Sequence, residues 1–149
     1  MTLFASLKAT PGVILIYGVL GLAGFLGPPL VGLLAPAYGE LVLKLLIAYA
    51  ALILSFLGGA RWGLAASGPS PSPITISLAM LPTLFALAIV MLPMSARVWQ
   101  IGALVLGLAL QWLWDVRARG LPVWYPGLRT LLSGGAIAGL VAGALFLQT

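Results

Sequence analysis

Residues 44–61, KLLIAYAALILSFLGGAR, place one lysine and one arginine at the two ends of an uncharged run. Lys44 to Arg61 is 17 positions, about 26 Å at 1.5 Å per residue of helix, close to the roughly 30 Å of hydrocarbon in a bilayer. Arg97 to Asp115 repeats the pattern over 18 positions, about 27 Å on the same measure. Two such charge-bracketed runs read as membrane spans with their interfaces marked. The rest of the chain agrees, since 62% of the 149 residues are hydrophobic and 6% charged, with a mean hydropathy of +1.21. Seven Lys/Arg and two Asp/Glu are too few to coat a water-facing surface.

The remaining spans follow from the breakers. Pro11 sits where a helix tolerates proline, at its first position, and Thr10 before it is read as the cap, giving a first span over about 11–34. The second covers about 42–63. The segment SGPSPSP at 67–73 cannot continue a helix, because its prolines lack donors and force extended backbone. A third span over 74–92 therefore follows it, then a fourth over 97–115 and a fifth over 129–148. The expected architecture is all-α, a single polytopic membrane domain over 1–149 built as a five-helix bundle. Pro28 and Pro29 in the first span and Pro82 in the third are expected to kink or interrupt their helices.

Alternating sides along five spans puts Lys8, Arg61, Arg117, Arg119 and Arg129 together, against Lys44 and Arg97. The positive-inside rule then makes the N-terminus cytoplasmic and the C-terminus periplasmic. Trp62, Trp112, Trp114, Trp124 and Tyr125 fall near the cytoplasmic interface, where amphipathic rings settle. The opening twelve residues show neither a signal peptide nor a transit peptide, so no removable targeting segment is expected.

Several chemistries are closed off. The sequence has no histidine and no cysteine, which excludes His-ligated haem, thiolate metal sites, disulfides and the Ser-His-Asp and Cys-His catalytic arrangements. No metal site and no cofactor is expected, nor an enzyme, since Asp115 or Glu40 would have to act alone. The net charge of +5 is scattered rather than gathered in a stripe, so nucleic acid is not an expected partner. Glu40 precedes Lys44 by four and reads as a surface pair.

What remains is a polar cluster and a set of small-residue stripes. Ala103, Gly107, Gln111 and Asp115 recur every four residues, so a smooth face and two polar groups share one side of the fourth span. Asp115 lies at the depth of Arg61 and near Arg129, and an Asp–Arg pair or triad is expected there. It has two readings: a clasp that fixes helix ends, or a mouth that binds an anionic group with Arg61 and Arg129 as donors. Trp124 and Tyr125, between Pro122 and Pro126, read as a lid over that mouth or as an interfacial anchor. Ser55, Gly59 and Gly63 form one stripe, Gly135, Gly139 and Gly143 another, and Gly18, Gly21, Gly24 and Gly27 a slowly drifting third. All are expected to carry close helix packing, within the bundle or, for the 135–143 stripe, across a homodimer.

The block SFLGGARWG, followed at a distance by Asp115 and by LPVWYPGLR at 121–129, resembles the DUF3429 family, the transmembrane-protein-69-like membrane proteins. The resemblance covers most of the chain. Its positions here are Ser55, Gly58, Gly59, Arg61, Trp62, Gly63, Asp115, Pro122, Trp124, Tyr125 and Arg129. It implies a multi-pass topology in a bacterial or organellar inner membrane and no particular chemistry; the missing presequence points to the bacterial inner membrane. Two functions compete: a non-enzymatic accessory or assembly factor of a membrane complex, with another inner-membrane protein as partner, and a binding or transport protein for a lipid, quinone, porphyrin or carboxylate.

Overall fold

The computed structural model describes residues 3–146, so positions 147 and 148 of the fifth expected span lie outside the described residues. A seven-residue helix α1 (Leu3–Ala9) precedes five long ones: α2 (Gly12–Leu34), α3 (Gly39–Ala66), α4 (Pro73–Val90), α5 (Arg97–Arg117) and α6 (Tyr125–Phe146). Each of the five is long and apolar enough to cross a membrane. The expected spans are all present, with shifted ends. Pro126 lies inside the first turn of α6 rather than in the preceding loop, because a first-turn proline has no helical acceptor to lose. The expected cap at Thr10 is also corrected. Its hydroxyl donates back to the Ser6 carbonyl at 3.1 Å and so closes α1, while Pro11 begins α2 with no side-chain cap.

The centre of the bundle is α3, which packs on α2, α4, α5 and α6. Leu43, Leu46, Ile47, Ala50, Leu54 and Leu57 recur at three- and four-residue steps and are all buried, as one helical face must be. Leu104 and Leu108 of α5, Leu140 of α6 and Phe25 of α2 complete one core cluster. Half of the α3 span is buried against 11% of α2. The outward side carries Leu20, Leu52, Phe56, Leu87 and Leu145, all well exposed. Such a surface suits an apolar surrounding such as lipid tails.

The prolines do not interrupt their helices. Both α2 and α4 run unbroken through Pro28–Pro29 and Pro82, and in each case a glycine on a neighbouring helix makes room. Pro29 cannot donate to the carbonyl of Phe25, four residues back. A Cβ added to Gly139 of α6 would sit 2.5 Å from that same oxygen. The freed carbonyl therefore lies against the Gly139 backbone, where any side chain would collide with it. The Pro82 ring likewise fits against Gly58 of α3, where an added Cβ would stand 3.1 Å from Pro82 Cβ and 2.7 Å from the Ala79 carbonyl oxygen.

Helices α2 and α6 run parallel in a constant register. Gly18 faces Leu132, Gly135 faces Leu22 and Gly139 faces Phe25, with offsets of 113 or 114 residues. Tyr49 of α3 packs its ring on Gly24, donates from its hydroxyl to the Gly21 carbonyl at 2.7 Å, and meets Phe25 edge-on. Because α2 and α6 start at the same face as α3 and α5 finish, Arg61, Asp115, Arg117 and Arg129 gather at one end of the bundle.

Candidate functional site

Asp115 is reached from α5 by the same i+4 face that buries Gly107 and Gln111. Gly107 lets Leu54 and Phe85 approach to where its side chain would be, which brings α5 close to α3. Asp115 is 1% exposed. Arg129, one turn into α6, donates from Nε to Oδ2 at 2.8 Å. Arg61, near the end of α3, brings its Nε to 3.7 Å from Oδ1, which is an ion pair without a hydrogen bond. Gln111 Nε2 lies 3.4 Å from Oδ1. The expected triad therefore forms, with Gln111 as a fourth member.

The charges do not balance. Two guanidinium groups, their side chains 11% and 7% exposed, share one carboxylate, leaving one buried positive charge in excess. Neither arginine presents its bidentate fork to Asp115, since both approach through Nε. Arg129 Nη2 and Arg61 Nε are buried with no hydrogen-bond partner among the described residues, and so is Ser133 Oγ, one turn further along α6. Unsatisfied buried donors cost about 1–3 kcal/mol each, more when charged, and three of them stand together here. The Arg61 guanidinium also lies over the Trp114 ring, 4.5 Å from its centroid, an attraction between cation and aromatic face.

Beside this centre lies an apolar cavity of about 510 Å³ between α2, α3 and α6, bordered by Tyr125 and Arg129 near one end and by Ser133 further along. Its floor is buried Phe25, Leu57, Leu108 and Ala136; its rim, with Tyr17 at 72% and Phe56 at 68% exposed, faces outward. A second apolar cavity, of about 610 Å³, lies on the opposite side of α3 and is bordered by Gln111 and Trp114. Both cavities thus reach the polar centre.

The other expected site residues are placed as follows. Trp62 points outward and is half exposed. Tyr125 is the first residue of α6 and borders the first cavity, whereas Trp124 precedes the helix and packs on Tyr125 with ring centroids 6.0 Å apart. The segment that carries them is tied to α1. The Trp124 carbonyl accepts from Ser6 of α1 at 2.8 Å, and Gly127 leaves space for the Ser6 side chain, so α1 pins the start of α6. Ser55 bonds Thr83 at 3.0 Å across α3 and α4, but Gly59 and Gly63 face open space; the close approach belongs to Gly58. Gly135 and Gly139 lie against α2 and Gly143 is buried. That stripe is used inside the chain, the first of the two packing readings given for it.

Sequence reasoning missed three contributors. Trp114 was indistinguishable from other interfacial tryptophans, although its position next to Asp115 is the signal that would place it near Arg61. Ser133 sits four residues after Arg129, hence on the same face of α6. Gln100 carried no signal as an isolated polar residue in an apolar helix. Its Nε2 donates to the carbonyls of Ile89 and Leu92 at 2.9 and 3.1 Å, satisfying the end of α4 from a different helix.

Residues 10–145 match the family described as "Protein of unknown function (DUF3429)". Transmembrane protein 69 of Xenopus tropicalis is similar, 32% identical over 145 residues, covering 94% of this chain and 56% of that protein; the chain thus spans little more than half the length of this curated relative. No solved structure matches. The aligned region takes in both halves of the polar centre and all five long helices, and on that extent the chain belongs to the DUF3429 family of multi-pass membrane proteins.

Proposed function

We propose that this protein is a non-enzymatic binding protein that holds a small anionic molecule within the membrane, at the centre formed by Arg61, Asp115 and Arg129. The observation that carries the reading is the buried excess of one positive charge with unpartnered donors beside an apolar cavity. A clasp needs only balanced charges, whereas a binding site needs the surplus. The five-to-two distribution of Lys and Arg supports a cytoplasmic position for the centre, in a bacterial inner membrane. A C-terminal alkaline phosphatase fusion is then active and a C-terminal GFP fusion dark; the reverse pattern overturns the orientation.

A second reading, an accessory or assembly factor, is favoured by one feature. Gly59 and Gly63 leave a smooth outward strip on α3 beside exposed Trp62, which a partner helix could approach closely. One experiment separates the two. The protein is extracted from native membranes with a lipid-preserving polymer and examined by native mass spectrometry. A defined small anion, retained in Glu40→Gln and lost in Arg61→Gln and Arg129→Gln, supports the binding reading. A stoichiometric protein in its place, released by Gly59→Leu, supports the accessory reading and overturns the first.

A further inference from the structure

We infer that the anion is the head of a single-chain lipid, a carboxylate or a phosphate monoester, whose tail lies in the cavity between α2, α3 and α6; the inference rests on the binding reading above. Its shape argues for a chain. Along α2 the lining runs from Val13 to Phe25, about 18 Å of helix; by the α2–α6 register Tyr125 and Arg129 border it near one end and Ser133 near its middle. A long apolar trough with a guanidinium near one extremity matches an amphiphile with one charged terminus.

The competing ligands fit less well. A quinone head is neutral and leaves the buried cation unmatched. A porphyrin is a broad rigid disc, a poorer match than a chain to a lining that follows one helix from Val13 to Phe25. A free soluble anion would satisfy the arginines but leave the trough without an occupant. The opening also suits a lipid: Tyr17 and Phe56 on its rim are exposed on the side that faces hydrocarbon, so the tail enters sideways from the bilayer while the head slides beneath Tyr125 to Arg129. Gly21 makes this passage possible. It lies about two thirds of the way from Val13 to Phe25, and an added Cβ would meet only the Tyr49 hydroxyl, at 3.7 Å; a larger side chain there would occupy the tail's path.

The test uses the full chain in phosphatidylcholine nanodiscs with three photo-crosslinkable probes that carry a diazirine at mid-chain: palmitate, a lysophosphatidate, and hexadecanol as the uncharged control. Labelling by one or both anionic probes is expected on Leu22, Ile53 and Leu57, at least about tenfold above the alcohol, as charge-assisted hydrogen bonds to the head require. The preferred probe tells which head the site takes. Gly21→Leu is expected to abolish labelling by the long-chain probes while a short-chain carboxylate or inorganic phosphate still binds. Ala60→Phe, at the exposed rim, is the second variant should Gly21→Leu fail to fold, and is expected to reduce labelling in the same way. Alcohol labelling equal to that of the anions, or labelling spread evenly over outward residues such as Leu52 and Leu87, overturns the inference. Binding of soluble anions without trough labelling overturns the tail assignment and leaves the anion centre standing. No anion binding of any kind removes both.

Discussion

At one end of the bundle Asp115, 1% exposed, is shared by the buried Arg129 and by Arg61, whose side chain is 11% exposed. At the other, Gln100, 2% exposed, spends one nitrogen on two carbonyls that end α4, and Glu40 meets Lys44 at 2.6 Å with their side chains 72% and 50% exposed. At the second end the buried donor is spoken for, only the neutral Gln100 Oε1 is left without a partner among the described residues, and the ion pair stands in the open. The first holds formal charge away from water, and holds more than it neutralises. Both ends hold an acidic residue beside a basic one, and what separates them is burial.

Replacing the carboxylate tests the difference most severely. In Asp115→Asn two buried guanidiniums face no counter-charge, and breaking a buried pair from one side costs about 3–5 kcal/mol. The melting temperature in detergent is expected to fall by on the order of 10 °C for a chain of this size. Exchanging the partners, Asp115→Arg with Arg129→Asp, is expected to recover part of the loss. An unchanged melting point for Asp115→Asn would remove the contrast between the ends. Gln100→Leu should do less, because it deprives the Ile89 and Leu92 carbonyls of a donor but also removes the unpartnered Gln100 Oε1. A loss of about 1–2 kcal/mol is expected, and a loss as large as that of Asp115→Asn would show the two ends to be equivalent.

The five spans were legible because charge and proline punctuate them: Lys44 and Arg61, Arg97 and Asp115, and the broken segment at 67–73 each mark an interface. The polar triad was legible for a related reason, since an i+4 step along α5 and the depth of three charges fix its members without knowledge of the packing. What the sequence withholds is rotation and neighbour choice. Gly58 and Gly59 are adjacent and chemically identical, yet Gly58 lies against the Ala79 carbonyl and Pro82 while Gly59 meets nothing. Similarly, the expectation that Pro28 and Pro29 kink or interrupt their helix left out the partner that lets it run on: the carbonyl freed by Pro29 lies against Gly139, 114 positions on from Phe25. The cavity is the product of three such rotations and has no signature in any one helix.

The least effect is expected from Glu40→Gln, and that absence is informative. Glu40 and Lys44 form the shortest ion pair in the described chain and satisfy the favoured order of acid before base at i,i+4 on a helix. Distance alone would rank them above Asp115 with Arg61, 3.7 Å apart. Their exposure reverses the ranking, since water and salt screen both charges and the flexible side chains lose entropy in pairing. Melting curves of Glu40→Gln in low and high salt are expected to overlie those of the parent protein, with ligand co-purification unchanged. A clear loss that disappears at high salt would mean that this end, too, depends on its charges, and the contrast would then rest on the surplus at Arg61 and Arg129 alone.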